Sequence, residues 1–295
     1  DRIESRGLGD VYKRQNQELA ASKISKISGM LNGTSNFILS NMEKGMEFEP
    51  TLKLAQEKGY AEPDPSFDIE GTDAAHKIGI LSSLAFGSSL PPKDFYIEGI
   101  NGIHKDDFKY AYEMGYTIKH LAIAKSTNNS IDLRAHPSLV KLDSYLANLK
   151  GVRNGIEVET DLLGTLHIAG SGAGQEATAS GVISDLIYLS DSKIREVNNI
   201  NESSELIDFI DLDFQYYFYI EASDVSGVMA SISSIFANKD VSIESISQKE
   251  NLNDDLVPII IITDPFKEKD YQELVDNLLD LDSVNKIRSI RIEPQ

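Results

Sequence analysis

The sequence predicts an α+β protein: a mixed-sheet domain followed by a ferredoxin-like βαββαβ unit. Three observations carry that reading. Helical periods alternate with strand-like runs through the first part. A polar, acidic stretch from Ser190 to Asp211, with no strong period, interrupts the pattern. After it come strand, helix, strand, strand, helix and strand, the order of one split βαβ unit with a four-stranded antiparallel sheet. The 295 residues leave room for two or three domains, at about 100–200 residues each.

The elements follow in chain order. The opening DRIESRGLGDVYKRQ (1–15) carries four arginines or lysines in an otherwise acidic chain and has no amphipathic period, so it is read as non-native and set aside. Asn16–Ala21 reads as the end of a helix. Ile24, Ile27 and Met30 mark a strand over 23–31, and NGT at 32–34 turns the chain. Phe37, Ile38 and Met42 give a helix over 35–44 that Gly45 ends; a second helix over 49–58 is closed by Gly59. From Thr72, expected as the cap, Ala75, Ile78, Leu81 and Ala85 mark a helix stopped at Gly87. A short helix is expected over 105–113. TIKHLAIAK (117–125) is a strand with partners expected at 131–136, 155–159 and 164–168. GSGAG (170–174) leads into a helix over 178–189. In the last part, strands are expected over 214–222, 241–248, 257–263 and 286–292, with helices around Ile232 and Leu278. The expected organisation is a first domain over 16–190, a linker over 191–213 and a second domain over 214–293.

Charge excludes several classes. Forty-seven acidic residues against 28 basic ones give a formal charge of −19, which repels a phosphate backbone and an anionic bilayer, so neither nucleic acid nor membrane is expected as partner. The chain has no cysteine, which removes disulfides, thiolate metal sites and cysteine nucleophiles together. No apolar run approaches the ~18 residues of a membrane span, and no signal segment opens the chain. A cytoplasmic protein is the expectation.

The densest chemistry lies in GYAEPDPSFDIEGTDAAHK (59–77), where Glu62, Asp64, Asp68, Glu70 and Asp73 precede one lysine. Asp73 and Lys77 stand four residues apart on the expected helix and so share a face. Two readings of that pair stay open on spacing alone. It is an exposed ion pair, or it is half-buried at a pocket wall, since Ala74, Ala75, Ile78 and Ile80 beside it are small or apolar. In the second case Lys77 can pass a proton to or from an alcohol or carbonyl, Asp73 can orient it, and Glu62 can grip an ammonium or hydroxyl. A calcium hand needs acids at its first, third and fifth positions and a glycine at the sixth. Started at Asp64 or at Asp68, the loop fails that pattern, and no metal is expected. His76 reads as a packing or surface histidine.

GMLNGTSNFIL (29–39) and GYAEPDPSFDIEGTDAAHKIGILSSLAFG (59–87) closely resemble the substrate-domain signature of homoserine dehydrogenases. YIEGI (96–100), MGYTIKHLAIAK (114–125), RAHPSLV (134–140) and GSGAGQEATASGVISDL (170–186) are similar to the same family in the same order. The resemblance covers essentially Asn16 to the C-terminus. It implies oxidation of homoserine to aspartate semialdehyde, or the reverse, with NAD(P), in threonine and methionine biosynthesis. It makes Lys77 the catalytic lysine and Asp73 its support. It sets Glu62 on the substrate, with Asp68 a further acid of the pocket and Gly33, Thr34 and Tyr60 as substrate-lining residues. It also makes the first domain a dimerisation domain, so a homo-oligomer is expected. GSGAGQ supplies only two of the three glycines of a dinucleotide fingerprint, and Gly172 and Gly174 are expected as secondary cofactor contacts. The family's main nucleotide-binding half precedes the point where this chain begins. The expectation is a truncated chain that binds NAD(P) poorly and turns over little.

YYFYIEASDVSGVMASISSIFANKDVSIESISQ (216–248) resembles an ACT domain, the ligand-binding module often joined to enzymes of amino-acid biosynthesis. Asp224, Gly227 and Val228 sit at its first strand-to-helix turn, where backbone N–H groups can receive a ligand carboxylate; Gly227 as a plain turn glycine is the rival reading. The resemblance implies threonine as an amino-acid effector, although Tyr219 and Asp264 stand where the module often carries arginine and histidine. A non-catalytic amino-acid sensor is the alternative to the enzyme.

Overall fold

The computed structural model describes residues 22–87, 95–128, 130–171, 175–191, 205–249 and 255–294. Strand β1 (Ile24–Met30) leads into helices α1 (Gly33–Met42) and α2 (Phe48–Glu57). A single helical turn, α3 (Ser66–Ile69), precedes α4 (Thr72–Phe86). Strand β2 (Tyr96–Ile97) and helix α5 (Lys105–Glu113) come before two long strands, β3 (Tyr116–Thr127) and β4 (Ser130–Lys141). The hairpin of β5 (Arg153–Thr160) and β6 (Gly164–Ser171) leads to α6 (Gln175–Asp191). After β7 (Glu205–Leu206) come β8 (Asp213–Ser223), α7 (Val228–Asn238), β9 (Ile243–Gln248), β10 (Leu256–Thr263), β11 (Phe266–Lys267), α8 (Glu268–Leu279) and β12 (Val284–Ile292).

The sheet is continuous through both halves, in the order β6-β5-β1-β3-β4-β12-β8-β10-β9. Its last four strands form the antiparallel sheet expected of the βαββαβ unit. The join is parallel, Arg291 and Ile292 of β12 pairing with Ser138 and Leu139 of β4. One edge of β4 takes three partners along its length, β7 at Ser130–Ile131, β2 at Arg134–Ala135 and β12 beyond.

Packing explains why the halves join. Residues of β8 alternate between faces, as a strand must. Tyr216, Phe218 and Ile220 pack with Ile232, Phe236, Leu274 and Leu278 of the unit's own helices. Tyr217 and Tyr219, with Ile260, Ile262, Ile290 and Ile292, pack on Ile38, Leu39, Met42, Phe108 and Ala111 from the first half. Both faces of that sheet are covered, so its run is apolar at nearly every position. On the first half, Ala74, Ala75, Ile78 and Leu81 of α4 lie against Ala122, Ala124, Leu133, Ala135, Ile156 and Val158. Small side chains on both surfaces let the helix approach the strands closely, which brings its N-terminal turn to the end of β1.

Three expectations differ from what is observed. Thr72 does not cap α4; Gly71 is the N-cap residue, with φ 86°, and its side is closed by His120 Nε2 and the Glu98 carbonyl. A side chain at that φ is strained, and here it would also clash. The stretch over 205–213, expected inside a linker, forms β7 and a turn of 3₁₀ helix, Phe209–Asp211. The Phe209 ring stacks on Tyr96 at 3.7 Å between centroids, so these residues clip the two halves together. Helix α6 begins at Gln175, three residues before the expected start. The segment 1–15, the helix end over 16–21 and most of the expected linker lie outside the described residues.

Candidate functional site

The site forms where β1 ends, α1 begins and the acidic loop returns over both. Asn32 caps α1, its Oδ1 accepting from Ser35 N at 2.8 Å. The same side chain then donates through Nδ2 to Asp68 Oδ1 at 2.6 Å and to Asp73 Oδ2 at 2.8 Å. One amide thus holds two carboxylates from different elements. Ser35 Oγ donates to the Asp68 carbonyl at 3.0 Å, and Thr34 Oγ1 to the Tyr60 carbonyl at 2.7 Å, tying the loop to the start of α1.

Lys77 is turned inward. Its Nζ donates to Asp73 Oδ2 at 2.7 Å and to the Leu31 carbonyl at 3.0 Å. The side chains of Lys77 and Asp73 are 14% and 5% exposed, which decides between the two readings of the pair: it is no solvated surface contact. Burial pushes the Asp68 carboxyl up from its ordinary value. The hydrogen bonds from Asn32 and Thr34 oppose the rise, the Asp73 charge adds to it, and Lys77 lowers it. The result is a compact set of one ammonium, two carboxylates and one amide, able to orient a small polar molecule and to exchange one proton with it.

Of the residues expected at the site, Asp68, Asp73, Lys77 and Thr34 are linked through Asn32, Ser35 and the Asp68 electrostatics. Gly33 opens α1 beside them. Tyr60 is partly exposed, its ring 5.0 Å from Phe37 and its carbonyl bound by Thr34. Glu62 is exposed in the loop ahead of α3, its carbonyl accepting from Gln56 Nε2 at 3.1 Å. Asp64 lies just ahead of α3, its Oδ1 accepting from the N–H of Ser66 at 3.1 Å and from its hydroxyl at 2.7 Å. His76 is exposed with its ring edge-on to Phe67. Among the described residues, no three His, Asp or Glu side chains converge to hold a metal. A cavity of about 290 Å³, lined in part by Lys26, Tyr145, Glu157 and His167, shares no residue with the lysine site.

Sequence reasoning missed Asn32 and Asn154. Asn154 of β5 donates to the same Leu31 carbonyl as Lys77, at 3.3 Å. For Asn32 a signal was available, an Asn three residues ahead of Ser at a helix start; for Asn154, which lies far away in sequence, there was none. Gly172 and Gly174 lie outside the described residues, and no glycine-rich strand–turn–helix cradle for a pyrophosphate stands among the described ones. At the second turn, Gly227 caps α7 with φ 96° and Val228 is buried, while Asp224 N donates to the Asp255 carbonyl at 3.0 Å. That backbone is what a glycine permits.

Fold and site define an α+β protein with a largely buried lysine–carboxylate–amide cluster beside a mixed sheet. A homoserine dehydrogenase family model matches residues 11–187, beginning inside the opening segment set aside above. The homoserine dehydrogenase of Neisseria gonorrhoeae is 38% identical over 96% of this chain and 68% of its own length. That of Pseudomonas aeruginosa is 40% identical with the same coverage. The crystal structure of a homoserine dehydrogenase from Thiobacillus denitrificans is 38% identical, with a TM-score of 0.87 over 96% of this chain and 67% of that one. A hyperthermophilic archaeal homoserine dehydrogenase in complex with NADPH is 27% identical, with a TM-score of 0.52 over 63% of this chain. The chain belongs to the homoserine dehydrogenase family, whose members are oxidoreductases.

Proposed function

We propose that the protein interconverts L-homoserine and L-aspartate 4-semialdehyde, with Lys77 as the group that exchanges the substrate's hydroxyl proton. The observation that carries this reading is the Lys77 ammonium held inward between Asp73 and the Leu31 carbonyl. In the oxidation the C–OH proton goes to the Lys77 amine; in the reduction the ammonium returns it to the carbonyl oxygen. Asp73 fixes the direction in which Nζ points, and Asn32 fixes Asp73. Asp68 and Glu62 receive the substrate's ammonium and hydroxyl, and Gly33, Thr34 and Tyr60 line its path. A nicotinamide, when bound, supplies the hydride acceptor; the NADPH of the archaeal relative supports NAD(P) as the cofactor. Gly172 and Gly174 are assigned as its secondary contacts.

The βαββαβ unit is read as an ACT domain that takes an amino-acid effector, threonine, at Asp224, Gly227 and Val228. The protein is read as a cytoplasmic homo-oligomer of threonine and methionine biosynthesis. Among the described residues no helix is long and apolar enough to cross a membrane. Turnover is assayed in a chain with the nucleotide-binding half restored, as homoserine-dependent reduction of NAD⁺ or NADP⁺ followed by absorbance, with and without Lys77→Ala. Turnover lost in the variant with the fold intact supports the enzyme; equal rates would overturn the role of Lys77, and no turnover in either protein with threonine binding indifferent to position 77 would support the sensor.

A further inference from the structure

We propose that Asn154 is a positioning residue for Lys77, acting through the Leu31 carbonyl. The inference rests on the reading of Lys77 as the proton-exchanging group. Leu31 O is a shared acceptor, taking Lys77 Nζ at 3.0 Å and Asn154 Nδ2 at 3.3 Å. It lies one residue past the last rung between β1 and β5, where Met30 pairs with Gly155. Among the described residues no strand ladder reaches the Leu31 oxygen beyond that rung, so the side-chain donors on it help to fix its direction. Asn154 supplies that bond from a strand locked on both sides, by β1 and by β6, where it pairs with Gly170. A second tie, Asn36 Nδ2 to the Arg153 carbonyl at 2.9 Å, fixes the same end of β5 to α1.

The amide is not placed for stability. Asn154 Oδ1 is buried and, among the described residues, has no hydrogen-bond partner. A buried acceptor left unmade is a cost that an apolar side chain of the same shape would avoid. Turning the amide over brings no relief, because Oδ1 would then face the Leu31 oxygen. What the position gains from asparagine is the one donor aimed at Leu31. The charged groups around Lys77 are Asp73 on its own helix and Asp68 on α3, while His120, from β3, lies near Asp73, its imidazole pushed down from the ordinary value by burial. None of them can replace a donor to a carbonyl on β5's side.

The test uses Asn154→Leu and Asn154→Asp in the full chain, with thermal unfolding to confirm the fold. The direct readout is the rate of reductive methylation of Lys77, read by peptide mass spectrometry against the other lysines. The leucine variant loses the strut, and Lys77 is expected to react about fivefold faster, the effect of one neutral hydrogen bond lost. The aspartate variant offers the ammonium another carboxylate, so Lys77 reacts more slowly. In turnover, the leucine variant is expected to lose about tenfold in kcat with the homoserine KM little changed, because a misaligned proton donor costs rate rather than binding. Unchanged Lys77 reactivity in both folded variants overturns the proposal. Faster reaction in the leucine variant with kcat intact overturns instead the role of Lys77 in proton exchange.

Discussion

Lys77→Met separates a buried ion pair from a surface one. The Lys77–Asp73 contact is 2.7 Å, with the side chains 14% and 5% exposed. Deleting one partner of a buried pair costs roughly 3–5 kcal/mol, because the other charge stays behind uncompensated. Two features reduce that figure. Asp73 keeps the Asn32 donor at 2.8 Å, and methionine keeps most of the packing of the lysine stem. Urea unfolding is expected to show a loss of about 2–3 kcal/mol with an unchanged slope. Under the proposed mechanism, homoserine oxidation should fall by about 100- to 10,000-fold. A variant as stable as the parent, with turnover within a few-fold of it, would refute both the burial argument and the role of the lysine.

Asp68→Asn should raise the melting temperature at neutral pH and make no difference in acid. Burial raises the Asp68 carboxyl, so the folded state holds its proton more tightly than the unfolded one, and stability falls as the pH climbs from the ordinary carboxylate range through the raised value. The amide removes that cost while still accepting from Asn32; melting curves at acid and neutral pH check it, and homoserine affinity should drop. Gly71→Ala is expected to cost about 1–3 kcal/mol, since φ is 86° and the new Cβ would lie 2.9 Å from His120 Nε2; urea midpoints measure it. Arg291→Met should be the most damaging of the set, at about 3–5 kcal/mol. Its guanidinium binds Glu268 at 2.6 Å and Glu98 at 2.7 Å, and its loss leaves Glu268 buried without that charge, which unfolding and near-ultraviolet circular dichroism would report.

Much of this organisation was legible in the order of residues. The acid-rich loop, the Asp73–Lys77 spacing, the Gly87 stop and the six elements of the last unit are local signals, each spanning a few turns or one strand. The inward turn of Lys77 was not local. It depends on the Leu31 carbonyl, 46 residues away, and on Asn32, which joins two acids that sequence could only count. The covered second face of the βαββαβ sheet was hidden for the same reason: an apolar run says that a strand is buried and is silent about what buries it. The expected cap at Thr72 failed because a hydroxyl at a helix start resembles a cap whether or not it makes the bond.

By itself, then, the chain order determined the elements, their type and the company of charged groups around position 77, because helix and strand periods and turn residues act over short range. Tertiary contact alone decided that β4 and β12 share one sheet, that the lysine faces inward and that an asparagine from a distant strand shares its carbonyl. Those outcomes turn on which surfaces meet, and contacts between residues far apart in sequence leave no periodic trace in either partner.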